Sequence, residues 1–369
     1  MKAPGPDKRN LRTRRGVVRA GQLLLCVVVW LTVPHSALAW NAEGHMVVAQ
    51  IAYNHLAPAV KARCDALIAV TLSYASSRTS NFVTAACWAD DYKSQLGSGI
   101  WHYIDLPFSL DGTSTAGAVP DSTNVVWAIN QCIAVLSNSR SSQTDQATYL
   151  RYLLHFVGDV HQPLHSSTAV SAAHPTGDAG GNAFYLNGTW SNLHYLWDDG
   201  GGYLTDSLSR PLSAASQTTL NNKVAAIEAD YPGLSDAAAI PDPMAWAQEG
   251  LQVATSAAYV GITQNTTPTT AYLNTARTTA EQRMALGGHR LSSVLNGLFA
   301  TNSITLSCVQ SNGTFTISWG AIPGKTYHVQ AKQQFTDPAW APVADITAST
   351  NTASFSEPSK TQRLYRVAQ

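Results

Sequence analysis

Two His/Asp pairs are the sequence feature that most constrains how this 369-residue chain can fold. Within each pair, the His and the Asp are four positions apart. His155 and Asp159 stand in the run HFVGDVHQPLH, and His194 and Asp198 stand in the run NLHYLWD. A spacing of four residues places both side chains of a pair on one face of an α-helix. Because the surrounding residues are largely apolar, we expect these faces to point into the protein, where imidazole and carboxylate groups together suit Zn²⁺. For either pair taken alone, a salt bridge is the alternative.

Further His and Asp residues fit the same kind of site. Pro163 ends the helix that carries the first pair, so His165 is expected to enter from the turn beyond it. Asp90 follows Trp in the run WADDYK, and His102 lies between aromatic residues in WHYID. The sequence therefore predicts a metal site that is assembled from several segments of a helical domain.

Residues 1–39 are predicted to be a secretory signal peptide. Seven Lys and Arg residues precede an apolar run over residues 23–33, and Ala37-Leu38-Ala39 is a small-x-small cleavage signature. The run is too short for a membrane span, and a membrane anchor is the alternative. Cleavage would make Trp40 the first residue, and its α-amine and carbonyl oxygen could chelate a metal together with His45. We expect the mature protein, without a membrane anchor, to be secreted or periplasmic.

The mature chain is not basic. The leader removes seven basic residues and Asp7 from balanced totals of 23 and 23, which leaves 16 against 22 and a net charge of −6. This balance excludes a protein that coats nucleic acid with a basic surface, and a polyanion would need positive charge from another source, such as metal ions. Four cysteines remain, and an exported protein could join them in one or two disulfides.

Two domains are expected after the leader: residues 40–300 as a mainly α domain and residues 301–369 as a small all-β sandwich. Apolar residues at helical spacing predict helices over Val47–Leu56, Ala59–Ala69, Val125–Leu136, Tyr149–Val157, Ala245–Val260 and Ala280–Phe299. Alternating segments and turn pairs predict strands over Thr314–Trp319, Thr326–Ala331, Val343–Ile346, Ala353–Phe355 and Leu364–Val367. This second domain resembles the fibronectin-like modules appended to many exported bacterial enzymes, and we expect it to be a spacer or adhesion module.

The order of the motifs resembles that of one family, the zinc-dependent, single-strand-specific nucleases of the S1/P1 type from fungi, plants and bacteria. Trp with His five residues on, WAD, HxID, HxxxDxxQPLH and NLHxxWD follow one another within roughly residues 40–300. The resemblance implies the helical fold that these nucleases share with bacterial zinc phospholipases C. It implies an endonuclease that cleaves single-stranded DNA and RNA to 5′-phosphate ends as a monomer, and it leaves open a 3′-nucleotidase activity on 3′-mononucleotides.

Carried over to this chain, the resemblance implies three Zn²⁺ ions. The first would be held by Asp90, His102, His155 and Asp159. The second would be held by His165, His194 and Asp198. The third would be held by the amine and carbonyl of Trp40, by His45 and by a shared Asp159. Asp90 would also orient the water that attacks phosphorus.

The resemblance further implies which residues hold the substrate. Lys93 would contact the phosphate, Tyr103 would stack on a base, and Asp105 and Asn182 would hydrogen-bond the base edge. A solvated lysine is the alternative for Lys93, and packing in the core is the alternative for Tyr103, where the family usually has Phe. Binding of a base edge requires an unstacked nucleotide, so single strands would be preferred over a duplex.

Two other functions remain open from the sequence. One is a zinc phospholipase C, although that family typically has Glu at the last ligand and a longer spacing from Trp to His, so Asp198 and His45 favour the nuclease. The other is a non-catalytic metal-binding or adhesion protein. The remaining histidines lack a carboxylate at ligand spacing and are expected to be structural: His55, His161, His174, His289 and His328.

Overall fold

The computed structural model describes most of the chain after the predicted leader. The described residues are Met1, 40–232, 234, 242–299, 307–321, 323–334, 337–350, 352–358 and 363–368. The predicted signal peptide, apart from Met1, and the predicted domain junction at residues 300–306 therefore lie outside the described residues. Within the described ranges, no helix has both the length and the apolar character needed to cross a bilayer.

Helices dominate the first part of the chain, as the sequence predicted. They are α1 (Ala42–Asn54), α2 (Pro58–Ile68), α3 (Phe82–Ala85), α4 (Trp88–Leu96), α5 (Val125–Ser137), α6 (Gln143–His161), α7 (Leu193–Asp198), α8 (Ala214–Asp230), α9 (Pro243–Val253) and α10 (Thr270–Phe299). The predicted helices begin too late where the first turn is polar. For example, α6 starts at Gln143 because Ser142 caps it by accepting a hydrogen bond from the amide of Asp145 (3.0 Å). The predicted continuation of α9 to Val260 is instead a π-helical turn over Ala254–Ala258.

Helix α6 crosses the core and carries the first His/Asp pair. All residues from Leu150 to His161 are buried, as expected of a helix that is surrounded by other helices. Its C-terminal end is fixed by Arg290, which donates to both carboxylate oxygens of Glu249 (2.6 and 2.7 Å) and whose Nη1 lies 3.0 Å from Nε2 of His161. His161 thus points to α10 and to no predicted metal ligand, and burial together with the nearby arginines lowers its pKa.

A short parallel pair of strands holds the HxID segment beside the end of α6. Strand β1 (Pro107–Ser109) pairs with β2 (Thr168–Val170). Just before them, the amide of Ile104 donates to the carbonyl of His165 (2.8 Å). These bonds place residues 103–105 next to the turn that carries His165.

The C-terminal module consists of two three-stranded antiparallel sheets, which confirms the predicted all-β architecture. The strands are β3 (Ser307–Ser311), β4 (Thr314–Gly320), β5 (Thr326–Lys332), β6 (Ala341–Thr347), β7 (Thr352–Pro358) and β8 (Leu364–Ala368). The sheets have the orders β3-β4-β7 and β6-β5-β8. Ile317 and Trp319 from the first sheet and Tyr327 and Val329 from the second form one buried cluster. The two inner faces therefore pack as a sandwich.

The cysteines outside the leader do not form disulfides in this structure. Cys64, Cys87 and Cys132 are buried free thiols, and Cys308 is exposed. Burial raises the pKa of Cys64 and of Cys87 to about 12, so these thiols are protonated at neutral pH. They therefore pack as small apolar groups in the helical core.

Candidate metal centre

The first His/Asp pair lies on one face of α6, as its spacing predicted. Nε2 of His155 is 3.3 Å from Oδ2 of Asp159. Nδ1 of His155 donates to the carbonyl of Ala86 at the end of α3 (2.6 Å). Because a neutral imidazole carries one proton, this bond leaves Nε2 with a lone pair that points toward the carboxylates. This is how proteins commonly orient a histidine that binds a metal.

Asp159 is the centre of the larger cluster. Its carboxylate is fully buried, with Oδ2 3.0 Å from Nδ1 of His102 and Oδ1 3.4 Å from Nε2 of His45. Oδ1 of Asp90 lies 3.7 Å from Nδ1 of His102 and 3.7 Å from Nε2 of His155. The residues expected at the first and third ions, apart from Trp40, thus meet around one carboxylate. Their ligand atoms form two groups, each within 4.8 Å: His45 with Asp90 and His155, and His102 with His155 and Asp159.

The second His/Asp pair forms a separate group with His165. His194, His165 and Asp198 are buried, and one ligand atom from each lies within 4.8 Å of the others. Nδ1 of His165 donates to the carbonyl of His102 (2.7 Å), and Nδ1 of His194 donates to the carbonyl of Gly180 (2.6 Å). The Nε2 lone pairs of the two rings therefore face each other at 3.0 Å, an arrangement that a cation between them stabilises.

Buried polar atoms without hydrogen bonds provide a test of whether these residues fit a metal. Among the described residues, none hydrogen-bonds either ring nitrogen of His45, Nε2 of His102 or either carboxylate oxygen of Asp159. Leaving such atoms unsatisfied in a protein interior costs about 1–3 kcal/mol each and more for a charged group. Nitrogen and oxygen donors that converge in this way fit divalent zinc.

The pKa shifts of His45 and Asp159 favour the protonation states that bind metal. Burial lowers the pKa of His45 to about 3, so its imidazole is neutral. Burial opposes ionisation of Asp159, but the charge of His155 and the proximity of His102 outweigh it and hold the pKa of Asp159 well below its usual value. Burial likewise disfavours the charged form of His155, yet Asp159 and Asp90 raise its pKa to about 9, so without a cation His155 carries a second proton that a bound metal ion would displace. A carboxylate held ionised among imidazoles is the form that accepts a cation.

The start of the predicted mature chain is fixed beside the second group. The side chain of Trp40 is fully buried. The amide of the next residue, Asn41, donates to the carbonyl of Asp198 (3.1 Å), and its side chain donates to Asp199 (2.9 Å) and to the carbonyl of Leu204 (2.6 Å). Asn41 was not identified in the sequence, although an Asn directly before a helical segment is a recognisable N-cap.

The four predicted substrate residues, which we call the rim, lie on chain segments that adjoin those of the metal-binding side chains. Nζ of Lys93 is 3.4 Å from Oδ1 of Asp90 on α4, and Tyr103 is half-buried. Asp105 is half-buried too, and burial together with the charge of Asp178 raises its pKa to about 6. Asn182 donates to the carbonyl of Ala179 (2.8 Å), and within the described ranges no hydrogen bond joins it to Tyr103 or Asp105.

Two buried residues that sequence reasoning missed support this arrangement. Asp178 accepts hydrogen bonds from the amide of Gly181 (3.0 Å) and from the hydroxyl of Tyr259 (2.7 Å), so it fixes the turn that leads to Asn182. Gln162 donates to Oδ1 of Asp198 (2.7 Å) and thereby orients that carboxylate. Two sequence features could have indicated these residues: the Gln-Pro step after α6 for Gln162, and the Asp within the glycine-rich run GDAGG for Asp178.

Five imidazoles and three carboxylates converge in the interior of a helical domain, which is the donor set of a metal-binding protein. The chain belongs to the S1/P1 nuclease family, because residues 40–300 match the sequence model of that family. It is therefore a hydrolase of phosphodiester bonds whose substrates are nucleic acids, and the expectation of a mainly α fold of this type is confirmed.

Two relatives by sequence agree with this assignment. The chain is 28% identical to Endonuclease 3 of Arabidopsis thaliana, in a match that covers 75% of this chain and 95% of the relative. It is 26% identical to Nuclease S1 of Aspergillus oryzae, with 74% and 97% covered. Among solved structures, the alpha-toxin of Clostridium perfringens superposes with a TM-score of 0.38 and 10% identity over 89% of this chain and 84% of that one.

Proposed function

We propose that this chain is an exported endonuclease that uses three Zn²⁺ ions to hydrolyse single-stranded DNA and RNA to 5′-phosphate products. The observation that carries the proposal is the buried carboxylate of Asp159, which faces three imidazoles and forms no hydrogen bond among the described residues. Residues 40–300 would be the catalytic domain, and residues 301–369 an appended module. The signal peptide over residues 1–39 and the monomeric state belong to the same proposal.

The ligand sets follow from the two groups of side chains. Asp90, His102, His155 and Asp159 would hold one ion, and His165, His194 and Asp198 a second. His45 and Asp159 would hold the third together with the amine and carbonyl of Trp40. The amine becomes available only if cleavage occurs before Trp40. The buried indole of Trp40 and the bonds of Asn41 support this ligand, because they hold the start of the domain against residues 198–204.

Zinc bound in such a site supplies Lewis acidity toward a phosphoryl oxygen and lowers the pKa of water toward neutrality. The protein would supply the positioning. The Asp90 side chain is 15% exposed whereas Asp159 is fully buried, so Asp90 stands at the mouth of the centre, where it can accept a hydrogen bond from the attacking water. Lys93, 3.4 Å from Asp90, would place its ammonium group beside the phosphate.

The rim would select unpaired nucleotides. The half-buried ring of Tyr103 can stack on any base, while Asp105 and Asn182 would bind the base edge. In a duplex, base pairing occupies the edge of each base and stacking covers its faces. A single strand exposes both the edge and the faces, so no free energy is spent on unpairing. The same site could hold a 3′-mononucleotide, which would give a 3′-nucleotidase activity.

Oligonucleotide cleavage tests the proposal. Protein beginning at Trp40 is incubated with a labelled single strand of DNA or RNA and with the matching duplex, in zinc or in a chelator, and the product ends are identified. We expect zinc-dependent cleavage of both single strands to 5′-phosphate and 3′-hydroxyl ends, with slower cleavage of the duplex. Phosphate release from a 3′-mononucleotide is measured in parallel. Hydrolysis of phosphatidylcholine vesicles with no cleavage of single strands would overturn the proposal in favour of a phospholipase C.

A further inference from the structure

A second cluster of metal-binding side chains lies outside the centre described above. His55, Glu228 and His289 each offer one ligand atom, and these atoms lie within 4.8 Å of one another. Nε2 of His55 is 2.6 Å from Oε1 of Glu228, and the rings of His55 and His289 are 4.5 Å apart. Two imidazoles and one carboxylate form a recurrent zinc ligand set, which leaves a fourth position for water.

This cluster is remote from the predicted catalytic ions. His55 caps the C-terminal end of α1, whereas His45 lies in the first turn of the same helix. Ten residues of α-helix rise about 15 Å, so the two histidines lie at opposite ends of α1. Glu228 lies in the last turn of α8, and His289 lies in the second half of α10. The three residues therefore join three helices at a point that the catalytic mechanism does not use.

The buried member of the cluster is a good ligand in its own right. His289 is only 9% exposed, and within the described part of the chain none of the residues hydrogen-bonds its ring. Burial and the neighbouring His55 lower the pKa of His289, so the imidazole is neutral and offers a lone pair at physiological pH. His55 and Glu228 are 44% and 26% exposed, so an ion can enter from solvent.

The backbone around the cluster is held in place before any ion binds. The side chain of Asn296 on α10 accepts a hydrogen bond from the amide of Ala57 and donates to the carbonyl of His55, both at 3.0 Å. Directly before His289, close contact between the helices requires Gly288, since a Cβ atom there would lie 2.5 Å from Cβ of Ile51. The backbone that carries His55 and the helix that carries His289 are thus held in place, and Glu228 already lies against His55.

We propose that His55, Glu228 and His289 form a zinc-binding site, outside the catalytic centre, that joins the ends of α1 and α8 to α10. A metal that binds the folded chain and not the unfolded one stabilises the fold, and here it would cross-link positions that are far apart in sequence. His289 lies beside the hydrogen-bonded pair of His55 and Glu228 with no hydrogen bond to its ring among the described residues, so it is available as the third ligand. The proposal does not rest on the nuclease activity.

Zinc titration of the whole protein tests this site. Protein beginning at Trp40 is loaded with zinc, freed of weakly held ions and titrated with Zn²⁺ against a chromophoric chelator at pH 7.5. We expect the wild type to bind one further equivalent. His289→Asn and Glu228→Gln are each expected to weaken that equivalent at least about tenfold, since even the loss of a group that only orients a ligand costs that much. Both variants should cleave single strands at the wild-type rate.

A matched control is available in the C-terminal module. His328 pairs with Asp345 at 2.7 Å on the surface, without a third ligand in the described metal-binding groups. His328→Asn should keep the additional equivalent. The rise in melting temperature that this equivalent produces should vanish in His289→Asn and persist in His328→Asn. The proposal is overturned if the wild type binds no further zinc, if both cluster variants bind it unchanged, or if only His328→Asn loses it.

Discussion

A Cβ atom placed on Gly158 would lie 2.8 Å from Nδ1 of His45. Gly158 directly precedes Asp159 on α6, and the His45 ring stacks on that of His155 with 3.9 Å between ring centroids. No side chain other than hydrogen fits between α6 and this imidazole. The absence of a side chain at Gly158 is therefore what lets α1 and α6 bring His45 to the Asp159 carboxylate.

Gly158→Ala is expected to displace His45 and to lower single-strand cleavage at least about tenfold, with the loss of about one zinc. Alanine is favoured over glycine inside a helix by about 1 kcal/mol, so helix propensity alone would predict a more stable enzyme. The control is Gly297→Ala on α10, where a new Cβ has no neighbour within 4 Å. Zinc content and cleavage rate are measured for both. A Gly158→Ala enzyme with full zinc content and full activity would show that His45 is not a ligand.

Asp105 should lower the stability of the protein as the pH rises. Its folded-state pKa is raised from 3.8 to about 6 by burial and by Asp178, so ionisation is less favourable in the folded chain than in the unfolded chain. Stability that is present at low pH is therefore lost as the pH rises through about 6. Asp105→Asn removes this loss. The free energy of unfolding of the variant minus that of wild type should therefore be about 1 kcal/mol larger at pH 8 than at pH 5.

Urea unfolding at the two pH values measures that difference. Asp230→Asn, an exposed substitution at the end of α8, serves as the control and should show no such change. A stability difference between Asp105→Asn and wild type that is the same at pH 5 and pH 8 would contradict the raised pKa. The expected result would show that stability is given up to place a carboxylate at the rim of the site.

Tyr103 is expected to bind substrate through its ring and not through its hydroxyl. Stacking on a base contributes about 1–3 kcal/mol, so Tyr103→Ala should raise KM for a single strand about 5- to 150-fold. Tyr103→Phe keeps the ring and should stay within about twofold of wild type. Because the residue is half-buried, melting temperatures of both variants are compared as well. An unchanged KM in a folded Tyr103→Ala enzyme would assign the ring to packing alone.

Gln162 is expected to position one metal ligand. Its amide donates to Asp198 at 2.7 Å, and loss of such a supporting bond typically weakens metal binding about 10- to 100-fold. Gln162→Leu should therefore weaken one zinc by that factor in a chelator competition assay. Gln146→Leu makes the same chemical change in the first turn of α6, away from the centre, and should leave zinc binding unchanged. Equal zinc affinity in both variants would show that Gln162 does not position a metal ligand.

Local sequence patterns predicted α1, α2, α5, α6, α9, α10 and the two His/Asp pairs, because both kinds of signal depend on the period of a single helix. Helix α8, which has few buried residues, was not predicted. The π-helical turn over Ala254–Ala258 and the strand Ser307–Ser311 were not predicted. The strand is exposed along its whole length, so it has no apolar alternation to detect. Hydrogen bonds between distant segments leave no periodic signal either: His55 and Glu228 are 173 positions apart, and the partners of Asp178 lie on three different segments.

The most direct test of the account is the zinc content of Asp159→Asn, measured by native mass spectrometry on protein beginning at Trp40. Asparagine keeps the size of the side chain but removes the charge that two of the proposed ions share. Wild type should hold three zinc ions, and the variant should keep only the one bound by His165, His194 and Asp198 and lose cleavage of single strands. Electrospray from a zinc-free buffer leaves the proposed site at His55, Glu228 and His289 empty, so that site does not add to the count. An Asp159→Asn enzyme that holds three zinc ions and cleaves at the wild-type rate would contradict the account.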